Sequence, residues 1–207
     1  MQHPRVIPMS DGSGSISQED IAPTVLPDDF VRSPMAQRIL SFHFPRYNEL
    51  PSVELYREQV IALVENVFEP LNECSEGPWL TPSMVNNYVK AHLLSAPQKK
   101  LYGREQIARL LVICVFKQVL SISAISDLFR IQKMTYMTDV AYDYVATELE
   151  RALRHFFSIG VDDEWTDTAS RVTRESLLVR SAVLAFAAKT HLVGYLDFLG
   201  YDDASNH

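Results

Sequence analysis

The chain has 207 residues, 47% hydrophobic and 22% charged, with a formal net charge of −7. That balance excludes a disordered or low-complexity chain and implies a globular protein of one large or two small domains. Its two cysteines, Cys74 and Cys114, form neither a CxxC nor a cluster with histidine, so a reducing compartment is expected, with no disulfide framework and no zinc site.

Residues 1–28 contain Pro4, Pro8, Pro23, Pro27, Gly12 and Gly14 among scattered polar residues, and read as a tail too poor in periodic apolar positions to fold. They hold no apolar stretch of signal-peptide kind. The longest apolar runs, Leu110–Phe116 and Ala182–Ala188, fall far short of the ~20 residues that span a bilayer. A cytoplasmic protein without membrane contact is the expectation.

From Asp29 to about Phe44 a short helix is predicted, capped by Ser33 with Pro34 at its first position and ended by Pro45. A second follows over Ser52–Phe68, where Leu55, Tyr56, Val60, Leu63, Val64, Val67 and Phe68 recur at helical spacing. Thr81-Pro82 opens a third, ending near Ala91 to Leu94. On that helix Ser83, Asn86, Asn87 and Lys90 share an arc of about 100°, and Met84, Val85, Tyr88 and Ala91 lie opposite. Asparagine pairs bidentately with adenine, lysine reaches guanine or phosphate, and serine serves either. Solvated or capping asparagines are the alternative.

Pro97 to Gly103 reads as a basic, hairpin-like turn. As a wing it lays Lys99 and Lys100 along phosphates; as a plain linker it only exposes them. Tyr102 is expected to fix the turn against the core. The helix from Arg104 to about Val119 includes seven consecutive apolar residues and is expected to be covered on most sides, with Cys114 as a buried small hydrophobe. Ser121 or Ser123 caps a short helix carrying Ile122, Ile125, Leu128 and Phe129. Two long helices follow, one from Met137 to Phe156 stopped by Gly160, the other from Leu177 to Leu199 with a break near Gly194. Between them runs the acidic segment 161–167. The division is thus a tail (1–28), a helix-turn-helix domain with preceding helices (29–130) and a C-terminal helical region (131–207) that completes the core, forms a dimer interface or binds a ligand.

Charge is unevenly spread. Between Thr81 and Leu120, Lys90, Lys99, Lys100, Arg104, Arg109 and Lys117 stand against Glu105 alone, while the remainder is strongly acidic. A basic block of this kind is either the footprint of a DNA binder or a solvated face. No enzyme is expected: the six histidines accompany no nucleophile or carboxylate in catalytic spacing, phosphate- and dinucleotide-binding glycine motifs are absent, and Asp162-Asp163 reads as solvated charge. No cofactor or metal is implied.

The stretch MVNNYVKAHLL, a proline and basic residues, then LYGREQIARLLVICVFKQVLSISAISDLF resembles the MerR-type helix-turn-helix. With RYNELPSVELYREQV before it, the span from about Phe42 through the fourth helix resembles a bacterial group catalogued as domain-of-unknown-function family 1836. In the MerR-type pattern Asn86 stands where arginine is common, Asn87 at an aromatic position and His92 at a glycine, whereas Tyr88, Lys90 and Lys100-Leu101-Tyr102 match in kind. The wing is shortened, and the effector cysteines of metal sensors have no counterpart.

The expectation is therefore an all-α protein with a MerR-like winged helix-turn-helix core and a C-terminal helical region. It would act as a homodimeric transcriptional regulator of double-stranded DNA, with Ser83, Asn86, Asn87 and Lys90 in the major groove and Lys99, Lys100 and Arg104 on phosphates. The alternative is a non-enzymatic protein-interaction module that keeps the fold without DNA. No small-molecule effector is disclosed by the sequence.

Overall fold

A computed structural model describes residues 29–75, 77–158 and 167–200. The readings placed on residues 1–28, Gly160 and 161–166 lie outside the described residues. Among those described, seven α-helices and one two-stranded antiparallel sheet form a mostly helical fold.

Helix α1 (Pro34–Leu40) begins as expected: Ser33 Oγ accepts the Ala36 N–H at 3.2 Å and Pro34 occupies the first position. It stops at Leu40 rather than at Pro45, because the Ser41 N–H turns back to the Arg38 and Gln37 carbonyls. The chain then leaves the helix, and the Phe44 N–H donates to Glu150 at 2.9 Å.

The predicted helix start at Ser52 is corrected to Arg57. Leu55–Tyr56 is a strand, β1, paired with β2 (Leu101–Tyr102), Leu55 opposite Tyr102 and Tyr56 opposite Leu101. Helices α2 (Arg57–Phe68) and α4 (Arg104–Phe116) each follow one of these strands at once. The two strand-to-helix junctions repeat one device. In LYREQV the Gln59 side chain accepts the Tyr56 N–H at 2.9 Å, and in LYGREQI the Gln106 side chain accepts the Gly103 N–H at 2.8 Å. Each glutamine thereby satisfies an N–H that the helix start leaves open.

Helix α3 (Pro82–Lys90) carries the expected cap, with the Met84 N–H donating to Thr81 Oγ1 at 3.2 Å. Ser121 caps α5 (Ile122–Thr135), which runs longer than expected and through the boundary placed at 130. Helices α6 (Thr138–Phe157) and α7 (Arg174–Leu199) pack on each other and on α1 and α4. One contiguous apolar core reaches from Phe30 to Ala187, so the C-terminal helices complete the core of the single chain. By length and composition α7 is apolar enough to cross a membrane, yet Val183, Phe186 and Ala187 are buried within this core.

No break occurs at Gly194. The glycine serves close packing instead: a Cβ there would lie 2.9 Å from Met35 Sδ and 3.0 Å from Cys74 Sγ. Cys74, which sequence placed in an uninformative loop, ends a short 3-10 helix (Glu69–Cys74) and is half-buried, and burial pushes its thiol up to about 11.

Two buried carboxylates on α6 tie distant segments together. Glu148 is fully buried, with Arg180 Nε at 3.3 Å and the Thr168 N–H at 3.3 Å. Glu150 accepts from the Phe44 N–H and from both terminal nitrogens of Arg46, at 3.1 and 2.8 Å. Burial alone would raise the Glu150 pKa, but the Arg46 and Phe44 hydrogen bonds outweigh it and hold the pKa below the ordinary carboxylate value. Stability from this clasp is present above the unfolded carboxylate pKa and is lost as pH falls through the lower folded value. Glu150→Ala should therefore cost about 2–4 kcal/mol in urea unfolding at neutral pH. The gap between variant and parent should narrow on acidification; a gap constant down to pH ~3 would refute the clasp.

Candidate nucleic-acid interface

What orients α3 is the segment just before it. The Trp79 ring stacks on Phe68 at 4.3 Å, and its indole N–H donates to Asn72 Oδ1 at 2.8 Å. The Trp79 carbonyl receives Lys117 Nζ at 2.5 Å and the Cys114 thiol at 3.3 Å, both from the α4 end, and the Leu80 N–H donates to Glu65 Oε1 at 3.0 Å. Burial pushes the Cys114 thiol up to about 12 and lowers the Lys117 pKa. Lys117, counted in the basic block, is thus an inward structural cation.

With its start held this way, α3 buries Val85 and Tyr88 and exposes Ser83, Asn86, Asn87 and Lys90. The four polar residues singled out by spacing share one outward face. Burial raises the Tyr88 hydroxyl to about 12, marking it as a core residue.

The far end of α3 closes with a Schellman arrangement: the Leu93 N–H reaches the Tyr88 carbonyl at 2.9 Å and the His92 N–H the Val89 carbonyl at 3.1 Å. His92 is left-handed, with φ 57°, a conformation that glycine adopts without strain.

The basic turn is a tight hairpin. The Gln98 and Leu101 backbones exchange hydrogen bonds at 3.2 and 2.8 Å, and the two residues between them, Lys99 and Lys100, have φ 49° and 69°. Two positive φ angles are what a type I′ turn demands, usually met by Asn-Gly. Here two exposed lysines meet it. Tyr102 is buried and fixes the hairpin to the core, as expected.

Arg104 sits apart from that tip. Half-buried, it donates to the Pro51 carbonyl at 3.3 Å and lies 5.8 Å from the Tyr47 ring centre. Arg109 is likewise engaged, donating to the Leu93 carbonyl at 3.4 Å and lying over Phe129 at 4.8 Å. The exposed cations of the basic block are therefore Lys90, Lys99 and Lys100, and two more that the sequence reading passed over lie near the end of α3. Arg130 and Lys133, on the outer face of α5, line with His92 and Arg109 a groove of about 980 Å³ between the end of α3 and α5. Their signal was the length of α5, which spacing alone understated. Arg130 is paired with Asp127. Among the described residues no three His, Cys, Asp or Glu gather as metal ligands.

These features define a helical domain with an outward polar helix followed in the chain by a basic hairpin tip. The model of the family described as "Domain of unknown function (DUF1836)" matches residues 45–147, from the Arg46 segment into α6, and this part of the chain is similar to that family. No curated protein and no solved structure matches the chain.

Replacing His92 by glycine removes the left-handed strain of a side-chain-bearing residue. The variant should gain about 0.5–1 kcal/mol of stability in urea unfolding. A loss on that substitution would refute the C-cap geometry.

Proposed function

We propose that the chain is a cytoplasmic transcriptional regulator that binds double-stranded DNA through a winged, MerR-like helix-turn-helix, with α2 and α3 as its helices and the Lys99-Lys100 hairpin as its wing. The carrying observation is that hairpin. Left-handed conformation costs an ordinary residue about 1–2 kcal/mol, yet both tip positions are lysine. Backbone strain that a commoner turn sequence would relieve is a pointer to function, and adjacent exposed ammonium groups suit a phosphate backbone. The outward set Ser83, Asn86, Asn87 and Lys90 supports α3 as the reading helix, its side chains meeting base edges in the major groove. Arg104 supports the wing from behind rather than reaching phosphates, since it is occupied by Pro51 and Tyr47. The connection between α2 and α3, residues 69–81, is longer than the usual helix-turn-helix turn, and the anchoring of Trp79 does the orienting that a tight turn does elsewhere.

A homodimer is part of the proposal, because two-fold proteins read two half-sites. Leu192, Leu196 and Leu199 form an exposed stripe on α7 that a second copy would cover. A monomeric mass at micromolar concentration would remove this part. The rival reading, a protein-interaction module without DNA, is favoured by the net charge of −7.

Binding to genomic fragments across a salt series separates the two. The parent should lose affinity steeply with salt, and Lys99→Ala with Lys100→Ala should flatten the log–log slope by about two units. Lys99→Asn with Lys100→Gly should flatten it equally while raising stability by about 1 kcal/mol. Asn86→Ala should relax sequence preference by about 1–3 kcal/mol at one base position. A folded parent with no binding at low salt sinks the regulator reading.

A further inference from the structure

Helices α4, α5, α6 and α7 do not close completely on one another. They leave a cavity of about 390 Å³ whose walls include Val112, Phe129, Ala141, Val145, Leu178 and Val179. This volume lies in the range of small-molecule sites, which are concave, mainly apolar and carry few polar groups. Filled with water it would hold roughly a dozen molecules with few partners, since each water takes ~30 Å³ and needs two to four hydrogen bonds.

Most polar side chains in the wall are already committed. The Tyr144 hydroxyl donates to Asp167 Oδ1 and the Ser176 hydroxyl to Asp167 Oδ2, each at 2.7 Å. Gln132 donates to the Tyr136 carbonyl at 2.8 Å, and Thr173 Oγ1 accepts the Ser176 N–H at 3.1 Å. Tyr142 also lines the cavity, but its ring packs on Phe44 and Tyr47, and the exposed charged side chain of the lining is Arg171. An occupant is therefore selected mainly by apolar shape, with any polar group of its own directed to the open rim where Arg171 is exposed.

We propose that this cavity binds a lipophilic small molecule carrying a single polar group. The site stands whether or not α3 meets DNA. Its form argues for a small molecule over a second copy of the chain: the walls come from four different helices around a compact recess, whereas the exposed α7 stripe of Leu192, Leu196 and Leu199 lies outside the wall.

The full chain is titrated with 1-anilinonaphthalene-8-sulfonate, with octanoate, decanoate and dodecanoate as competitors. One saturable dye site per chain, displaced more strongly as the acid lengthens, is the expected result. Ala141→Trp fills the recess and should weaken the dye by about tenfold or more, equivalent to ~1.4 kcal/mol. Leu178→Trp, on the exposed rim, should do the same if Ala141→Trp proves unstable. Near-ultraviolet circular dichroism checks that each variant keeps its packing. The proposal is overturned by a parent that shows no saturable binding, or by variants that bind like the parent. It is equally overturned if the parent is a dimer that both substitutions convert to monomer, since a second copy is then the occupant.

Discussion

Helix α4 sets the terms for the rest of the molecule. Every residue from Leu110 to Phe116 is buried, as are Ile107 and Ala108 one turn earlier, so almost no direction around the helix is left to solvent. Such a helix is stable only when other elements cover all its faces, because each exposed large side chain would forfeit about 1.5–3 kcal/mol. Helix α2 covers one side and α6 and α7 the others. This is why the chain does not separate into an N-terminal domain and an independent C-terminal one: both halves share the same central helix, and α5, which spans the expected boundary, packs on α6 and α7.

From that core the outward helix is positioned by polar groups working at its margin. The end of α4 sends Cys114 and Lys117 to one carbonyl, that of Trp79, two residues before the α3 cap. Drawing an ammonium out of water is costly unless it is bonded, and this half-buried one is held between the carbonyl and Met84 Sδ at 3.5 Å. The result is a rigid approach to α3, whose inward face is then fixed by Val85 and Tyr88 and whose far end is closed by His92 and Leu93. Orientation of the polar face is thereby a consequence of packing, independent of what the face meets.

Much of this was legible in the sequence where a local rule acts alone. Ser33-Pro34, Thr81-Pro82 and Ser121 each announce a helix start through a cap, and the apolar run of α4 announces its burial; all four are observed. The two faces of α3 were legible because 100° periodicity needs no tertiary knowledge. What failed depended on partners far along the chain. Leu55 and Tyr56 fit a helical pattern as well as a strand, and only Leu101 and Tyr102 decide between them. Likewise the segment after α1, read as helix as far as Phe44, is held extended by Glu150, which is distant in sequence from Phe44 and Arg46. Asp167, at the end of the segment read only as acidic, has its side chain almost wholly buried, bonded to Tyr144 and Ser176.

The basic block shows the same limit in a form that bears on function. Counting charges between Thr81 and Leu120 treats every cation as available, but Arg104, Arg109 and Lys117 are each spent on a carbonyl of the fold. What remains outward is smaller and better placed: Lys90 at the end of the polar face, and Lys99 and Lys100 on a strained turn. Arg109 also joins two regions that the sequence kept apart. It lines the cavity among α4 to α7 and donates to the Leu93 carbonyl, immediately after the cap of α3. Its ring partner Phe129 belongs to the same cavity wall. One side chain thus touches both the cavity wall and the closing turn of the outward helix.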